Sequence, residues 1–171
     1  EWINWLIISL LKLSKLDSNT VTFVKKEIDV RKLINNVIQN LSIPLDIKQQ
    51  QIIISGENAK IIGDYNWQLE AITNIVKNCI EHTPENKHIY IDFVENNFYT
   101  KITIRDEGAG IDKQDVKHIF ERFYKGKNSS ENSVGIGLAL AKTIIEKGNG
   151  YITCSSKIGE GTTFEIKYMK T

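Results

Sequence analysis

Asn74-Ile75-Val76-Lys77-Asn78, followed downstream by Asp106-Glu107-Gly108-Ala109-Gly110, is the part of the chain from which the rest can be read. Asn74 and Asn78 stand four residues apart, so on a helix both amides leave one face. A carboxamide oxygen is a hard, neutral ligand that suits Mg²⁺ without adding negative charge beside a polyphosphate. The second stretch offers a carboxylate acceptor followed by two glycines, where a backbone can come close to a flat ligand. Together they point to a nucleotide site with its metal end on a helix and its base end on a loop.

Working outward, Asp64 caps the helix that carries both asparagines to about Glu81, and Pro84 follows it. His88 to Glu95 and Tyr99 to Asp106 alternate around Asn96-Asn97, the pattern of a hairpin. Gln51 to Ser55 and Lys60 to Gly63 are short apolar runs around Gly56-Glu57-Asn58 and predict a second hairpin. Asp29 caps a helix to about Leu41, with Leu33, Ile34, Val37, Ile38 and Leu41 on one face, and Pro44 interrupts that helix or the loop after it. Val21 to Ile28 is rich in β-branched and aromatic residues and predicts a strand. Downstream, Asp112 begins a short helix through about Phe123. Lys125 to Val134 is polar, has no apolar period and predicts a mobile loop. Gly135 to about Lys147 reads as a helix stopped by Gly148-Asn149-Gly150, and Tyr151 to Ser156 and Thr162 to Met169 as strands around Gly159-Glu160-Gly161. Hairpins mixed with helices make this an α+β chain, its sheet mixed or antiparallel with helices on one face.

The 171 residues are one ordinary domain's worth. Hydrophobic residues make up 41% and charged ones 25%, a soluble globular composition, and a net charge of +1 gives no strong field toward nucleic acid or an anionic membrane. Cys79 and Cys154 form no CxxC, which argues against a disulfide or zinc framework and for a reducing compartment. There is no signal-peptide pattern. Trp2 to Leu16 is apolar but carries Asn4, Lys12 and Lys15, too short and too polar to span a bilayer. The chain opens as though in the middle of a helix of a longer protein. Ile3, Leu6, Leu10 and Leu13 keep an a/d spacing, so this helix is expected to pack on a partner helix, with burial against its own domain as the alternative. Asp17-Ser18-Asn19 ends it.

Residues 21 to 169 resemble the catalytic and ATP-binding domain of sensor histidine kinases, of the wider class that includes gyrase, Hsp90 and MutL. Asn74 to Asn78 match the N box and Asp106 to Gly110 the first glycine box. Phe120-Glu121-Arg122-Phe123-Tyr124-Lys125 match the F box, Gly135 to Ala141 the second glycine box, and Gly159 to Thr162 the third glycine turn. Residues 6 to 18 resemble the end of the helical dimerisation domain, so the implied division is 1–18 dimerisation remnant and 19–171 catalytic ATP-binding domain. Any one box is weak; five in this order are not.

The resemblance implies a two-layer α/β sandwich of the Bergerat type, with a mostly antiparallel sheet under about three helices and ATP with Mg²⁺ as ligands. Carried across by position, Asn78 ligates the metal and Asn74 lies one turn back near the same phosphates. Asp106 accepts a hydrogen bond from the adenine amino group and rejects the guanine carbonyl, a discrimination of about 1–3 kcal/mol or more. Gly108, Gly110 and Ile111 pass beside the base. Gly135, Ile136, Gly137 and Leu138 open a helix whose amides face phosphate oxygens. Lys125 occupies a position where the family often has a basic residue that reaches the γ-phosphate, which makes Asn74, Asn78 and Lys125 the implied catalytic set. Tyr124, His82 and Thr162 complete the implied binding set, although Phe120, Phe123 and Tyr124 read first as packing the base of the loop. Each motif also has an ordinary reading: a solvated or capping asparagine pair, an Asp-Gly turn, a GxG loop, a solvated lysine.

Glu81 departs from the family, which often has Lys or Arg there; His82 either meets a phosphate or ribose oxygen or is structural. Arg122 serves the loop or makes a salt bridge. His82, His88 and His118 lie in the wrong segments to be the phosphoacceptor, so this stretch is expected to bind ATP and phosphorylate nothing in cis. The resemblance implies a homodimeric cytoplasmic kinase region, membrane-bound only through N-terminal segments. It would pass the γ-phosphoryl to a histidine of its own dimerisation domain and then to a response-regulator aspartate, by positioning and charge neutralisation. The style of the boxes resembles Gram-positive kinases. The alternatives are another ATPase of the same fold and a non-catalytic nucleotide-binding or docking module.

Overall fold

A computed structural model of the chain describes residues 2–126 and 135–171. The elements in order are α1 (Trp2–Asp17), β1 (Lys26–Asp29), α2 (Val30–Asn40), α3 (Ser42–Ile47), β2 (Gln51–Gly56), β3 (Lys60–Gly63), α4 (Tyr65–His82), β4 (His88–Glu95), β5 (Tyr99–Asp106), α5 (Lys113–Val116), α6 (Gly137–Lys147), β6 (Gly150–Lys157) and β7 (Gly161–Met169). Five strands form one sheet in the order β2-β4-β5-β7-β6, and β1 and β3 form a separate antiparallel pair. Only β2 and β4 run parallel, which needs a long crossover, and α4 lies in that crossover. Alternate residues of the central strands, Ile89, Ile91, Phe93, Ile102, Ile104 and Phe164, are fully buried. They pack with Ile72, Ile75 and Val76 of α4, Leu140, Ile144 and Ile145 of α6, and Leu33, Ile34 and Val37 of α2. The α+β expectation of a mostly antiparallel sheet under helices therefore holds.

Asp64 starts α4 and ties down the chain before β1: one carboxylate oxygen accepts from the Trp67 N–H at 3.2 Å, the other from the Val24 N–H at 2.8 Å. Asp64→Ala removes both bonds and is expected to cost about 1–2 kcal/mol, read as a lower urea midpoint at unchanged slope. An unchanged midpoint would show that the cap contributes nothing.

The hairpin expected from Gln51 to Gly63 does not form. β2 pairs with β4 and β3 with β1, because the turn is redirected at Ala59, whose carbonyl accepts the Val30 N–H at 3.0 Å. The strand expected over Val21 to Ile28 is reduced to Lys26–Asp29, the length of its partner β3. Val21 and Phe23 instead pack as an extended strap, Phe23 stacking on Trp67 at 6.0 Å. Pro44 does not break the chain; it sits in the first turn of α3, where its missing N–H costs nothing. The helix expected from Asp112 to Phe123 ends at Val116 and continues as turns, with His118 N–H to Asp115 and Glu121 N–H to His118. Of the mobile loop expected over residues 125–134, residues 127–134 lie outside the described residues.

Helix α1 divides the two expectations made for it. Ser9, Leu13 and Leu16 are buried against the rest of the domain, whereas Ile3, Ile7, Leu10 and Leu11 are exposed. Lys12 pairs with Glu70 at 3.0 Å, and Asp17 receives both terminal nitrogens of Arg122 at 2.7 Å. Arg122 is thus a salt-bridge residue, and its hydrogen bonds hold the Asp17 carboxyl below the ordinary carboxylate range. Among the described residues no helix is long and apolar enough to cross a membrane.

Candidate functional site

Asp106 ends β5 and is almost wholly buried. Its Oδ1 accepts two backbone N–H groups, from Gly108 and from Thr162, each at 3.0 Å. Both go to the same oxygen, so Oδ2 accepts from neither. The Cys79 thiol of α4 is a further hydrogen-bonding neighbour. Burial pushes the carboxyl above its ordinary value of 3.8, partly offset by the two amides, the thiol and His82. A buried acid with one oxygen engaged by amides suits a ligand that donates.

The two glycines after it are required by the protein's own backbone. A Cβ on Gly108 would stand 2.5 Å from the His82 carbonyl oxygen, and one on Gly110 would stand 2.1 Å from that of Lys157. The first contact seats the loop on the end of α4; the second seats it on the β6–β7 turn. That turn is clasped again by the Gly159 N–H to Ala109 carbonyl bond at 2.8 Å and by the Ile111 N–H to Ser156 Oγ bond at 2.7 Å. Ser156 Oγ also lies 2.8 Å from Thr162 Oγ1. Gly108, Gly110, Ile111 and Thr162 are thereby gathered around Asp106.

At the other end of the α4 face, Asn74 is buried and its amide donates to the Gly137 carbonyl at 3.4 Å, joining the helix of the two asparagines to the first turn of α6. Asn78, one turn on, is half-buried, and the next residue, Cys79, neighbours Asp106. Through the Cys79 side chain the helix of the two asparagines reaches Asp106. Ile136 is fully buried, while Leu138 and Gly135 are half-buried. Glu81, His82 and Lys125 are exposed. Among the described residues no group of three or more His, Cys, Asp or Glu could hold a metal ion. A divalent cation here would draw most ligands from phosphate oxygens and water, the way Mg²⁺ is usually held beside a nucleotide, with a neutral amide as the protein's share.

The F box meets the second glycine box directly. The Phe123 N–H donates to the Gly135 carbonyl at 3.1 Å, and Gly135 is packed against the backbone of Tyr124. The Tyr124 hydroxyl donates to Asp115 at 2.5 Å. Phe120 packs edge-on against Phe164 of the sheet at 6.2 Å, whereas Phe123, also expected to pack, is exposed.

Sequence reasoning missed four participants. Cys79 and Cys154 both sit near Asp106, and burial raises both thiols, Cys154 to about 12, so neither is a reactive thiolate. Ser156 links two glycine turns. Trp5 of α1 lies under the Lys77 ammonium at 4.6 Å and 3.8 Å from where a Gly137 Cβ would be. Cys79 was findable, since it follows Asn78 on a helix already read; contacts of Trp5 and Ser156 are long-range and leave no local pattern.

With this geometry in place, comparison with known proteins defines the class. Residues 63–171 match the family of histidine kinase-, DNA gyrase B- and HSP90-like ATPases, and the chain belongs to that family. Within it, the chain resembles the sensor kinases: it is 32% identical over 162 residues to the sensor histidine kinase YclK of Bacillus subtilis, covering 92% of this chain and 34% of that protein. The fold matches that of the histidine kinase AdeS of Acinetobacter baumannii, with a TM-score of 0.82 at 20% identity over 97% of this chain and 77% of that one. It also matches full-length ShkA in complex with AMPPNP, with a TM-score of 0.84 at 18% identity over 97% and 35% of the two chains. The chain spans about a third of the length of the curated relatives it matches.

Proposed function

We propose that this chain is the ATP-binding kinase region of a two-component sensor histidine kinase. Residues 19–171 form the catalytic domain, and residues 1–18 are the end of a dimerisation helix. The observation that carries the reading is that contacts link the five boxes to one another. Asp106 joins the first glycine box to the third glycine turn, Cys79 joins the N box to Asp106, Asn74 joins the N box to the second glycine box, and Gly135 joins that box to the F box. The AMPPNP complex of the similarly folded ShkA supports a nucleotide as the ligand.

In this reading Asp106 Oδ2 takes the adenine amino group, with Gly108, Gly110, Ile111 and Thr162 shaping the base pocket. Asn74 and Asn78 face the phosphates, the backbone from Gly135 to Leu138 presents amides at the start of α6, and Tyr124, His82 and Lys125 border the ligand. Mg²⁺, held by Asn78 and the phosphates, would supply charge neutralisation. The residues align the terminal phosphoryl group for transfer to a histidine of the dimerisation domain, and thence to a response-regulator aspartate. The working protein is a homodimer whose membrane attachment lies in other segments.

Titration with AMPPNP, with and without Mg²⁺, tests the reading. Magnesium should tighten binding, and Asn78→Ala should lose about tenfold, or ~1.4 kcal/mol, only when the metal is present. Binding of equal strength with and without metal would favour the docking-module alternative. Exposed Glu81 should leave binding unchanged when replaced by Gln.

A further inference from the structure

We propose that Asp115 is a positioning residue for Lys125, its carboxylate holding the residues on both sides of that lysine. The inference rests on the reading of Lys125 as the group that reaches the terminal phosphate. Asp115 is buried, an unusual place for an acid without a task. One of its oxygens takes the Tyr124 hydroxyl at 2.5 Å. The other lies 3.2 Å from where a Gly126 Cβ would be, so the carboxylate fits against Gly126 and would crowd any larger residue there. Residues 124 and 126 are thus both placed against one side chain, and the Lys125 backbone is placed between them.

Asp115 is itself rigidly mounted. Its N–H bonds to the Asp112 carbonyl at 2.9 Å and its carbonyl accepts the His118 N–H at 2.9 Å. The His118 ring lies 5.1 Å from that of Tyr124. On the far side, the Phe123 N–H bond to Gly135 holds Phe123 at φ +65°, a strained value for an aromatic residue that persists only where surroundings impose it. A lysine stem has four rotatable carbons, so what the protein controls is where that stem begins. Asp115 supplies that control without touching the nucleotide.

The test is the ratio of Kd for Mg·ADP to Kd for Mg·AMPPNP, since only the second carries the group Lys125 is assigned to. Lys125→Ala should weaken AMPPNP about tenfold and ADP less than about twofold. Asp115→Ala should reproduce about half of that loss on a logarithmic scale, again on AMPPNP alone, and the double variant should be no weaker than Lys125→Ala. Asp115→Asn keeps an acceptor for Tyr124 and should restore the ratio, while Tyr124→Phe should lower it with the fold intact. Equal weakening of both nucleotides by Asp115→Ala, additive losses in the double variant, or an unchanged ratio in Asp115→Ala and Tyr124→Phe would overturn the inference and leave the role of Lys125 standing. An unchanged ratio in Lys125→Ala itself would overturn both.

Discussion

Asp106→Asn is expected to weaken adenine-nucleotide binding by about 100-fold or more while the chain stays folded. The two carboxylate oxygens face different tasks. Oδ1 accepts the Gly108 and Thr162 amides, and in the proposed reading Oδ2 takes the donor on the base. An amide has one acceptor and one donor. With its oxygen toward the two N–H groups, the variant meets the adenine amino group with another NH₂. Flipped, it serves the base but sets its NH₂ against two buried N–H groups. Either way a buried donor faces a donor.

Stability should move the other way. Burial lifts the folded-state value of Asp106 above its ordinary 3.8, so the folded chain holds this proton more tightly than the unfolded chain. The contribution of the group to stability is then fully present below the unfolded value and is lost as pH rises through the folded one. At neutral pH the native protein carries that desolvation cost and the asparagine variant does not. The unliganded variant should therefore unfold at the same or a higher temperature at pH 7, with any advantage fading on acidification. Nucleotide affinity of the native protein should fall over the same acid window, as the acceptor becomes protonated. Near-native affinity of the variant, measured by calorimetry, would remove Asp106 from the base pocket.

What the sequence made legible was local. Asp64 and Asp29 were readable as caps because a cap acts within three residues, and both start their helices. The β4–β5 hairpin was readable because its partners are neighbours in sequence. The false hairpin between β2 and β3 had the same local signature. What decided against it was Ala59 binding Val30 and Gly56 registering with Phe93, contacts between distant parts of the chain. The site shows the same division. Asn74 and Asn78 share a face by helical period alone, and Asp106 is marked by the glycines after it. The bond from Asp106 to Thr162, the clasp of Ser156 and the seat of Tyr124 on Asp115 depend on tertiary packing, so no periodicity could reveal them. Even the glycines were only half readable. Their spacing marked a close approach, but the partner they approach here is the carbonyl of His82 or Lys157.

The approach to Lys157 sets the largest expected loss of stability, in Gly110→Ala. Two costs add at this position. Gly110 has φ +84°, which an alanine adopts at a cost of about 1–2 kcal/mol. The new methyl would also stand 2.1 Å from the Lys157 carbonyl oxygen and 3.0 Å from the Ile158 α-carbon, and these are backbone atoms that cannot rotate aside. Relief requires the loop to part from the β6–β7 turn. That would break the Gly159–Ala109 bond at 2.8 Å and the Ile111–Ser156 bond at 2.7 Å. The total should reach about 3–5 kcal/mol, the range reserved for overpacking combined with backbone strain. Gly159 separates the two costs within the same molecule. It has the same φ of +84° but nothing within 4 Å of its Cβ position. Gly159→Ala should therefore cost only the conformational part, about 1–2 kcal/mol. Urea unfolding of the two variants measures the difference. Equal losses would mean that the Gly110 loop is not wedged against the turn, and the clasp that gathers Ile111 and Thr162 around Asp106 would lose its steric basis.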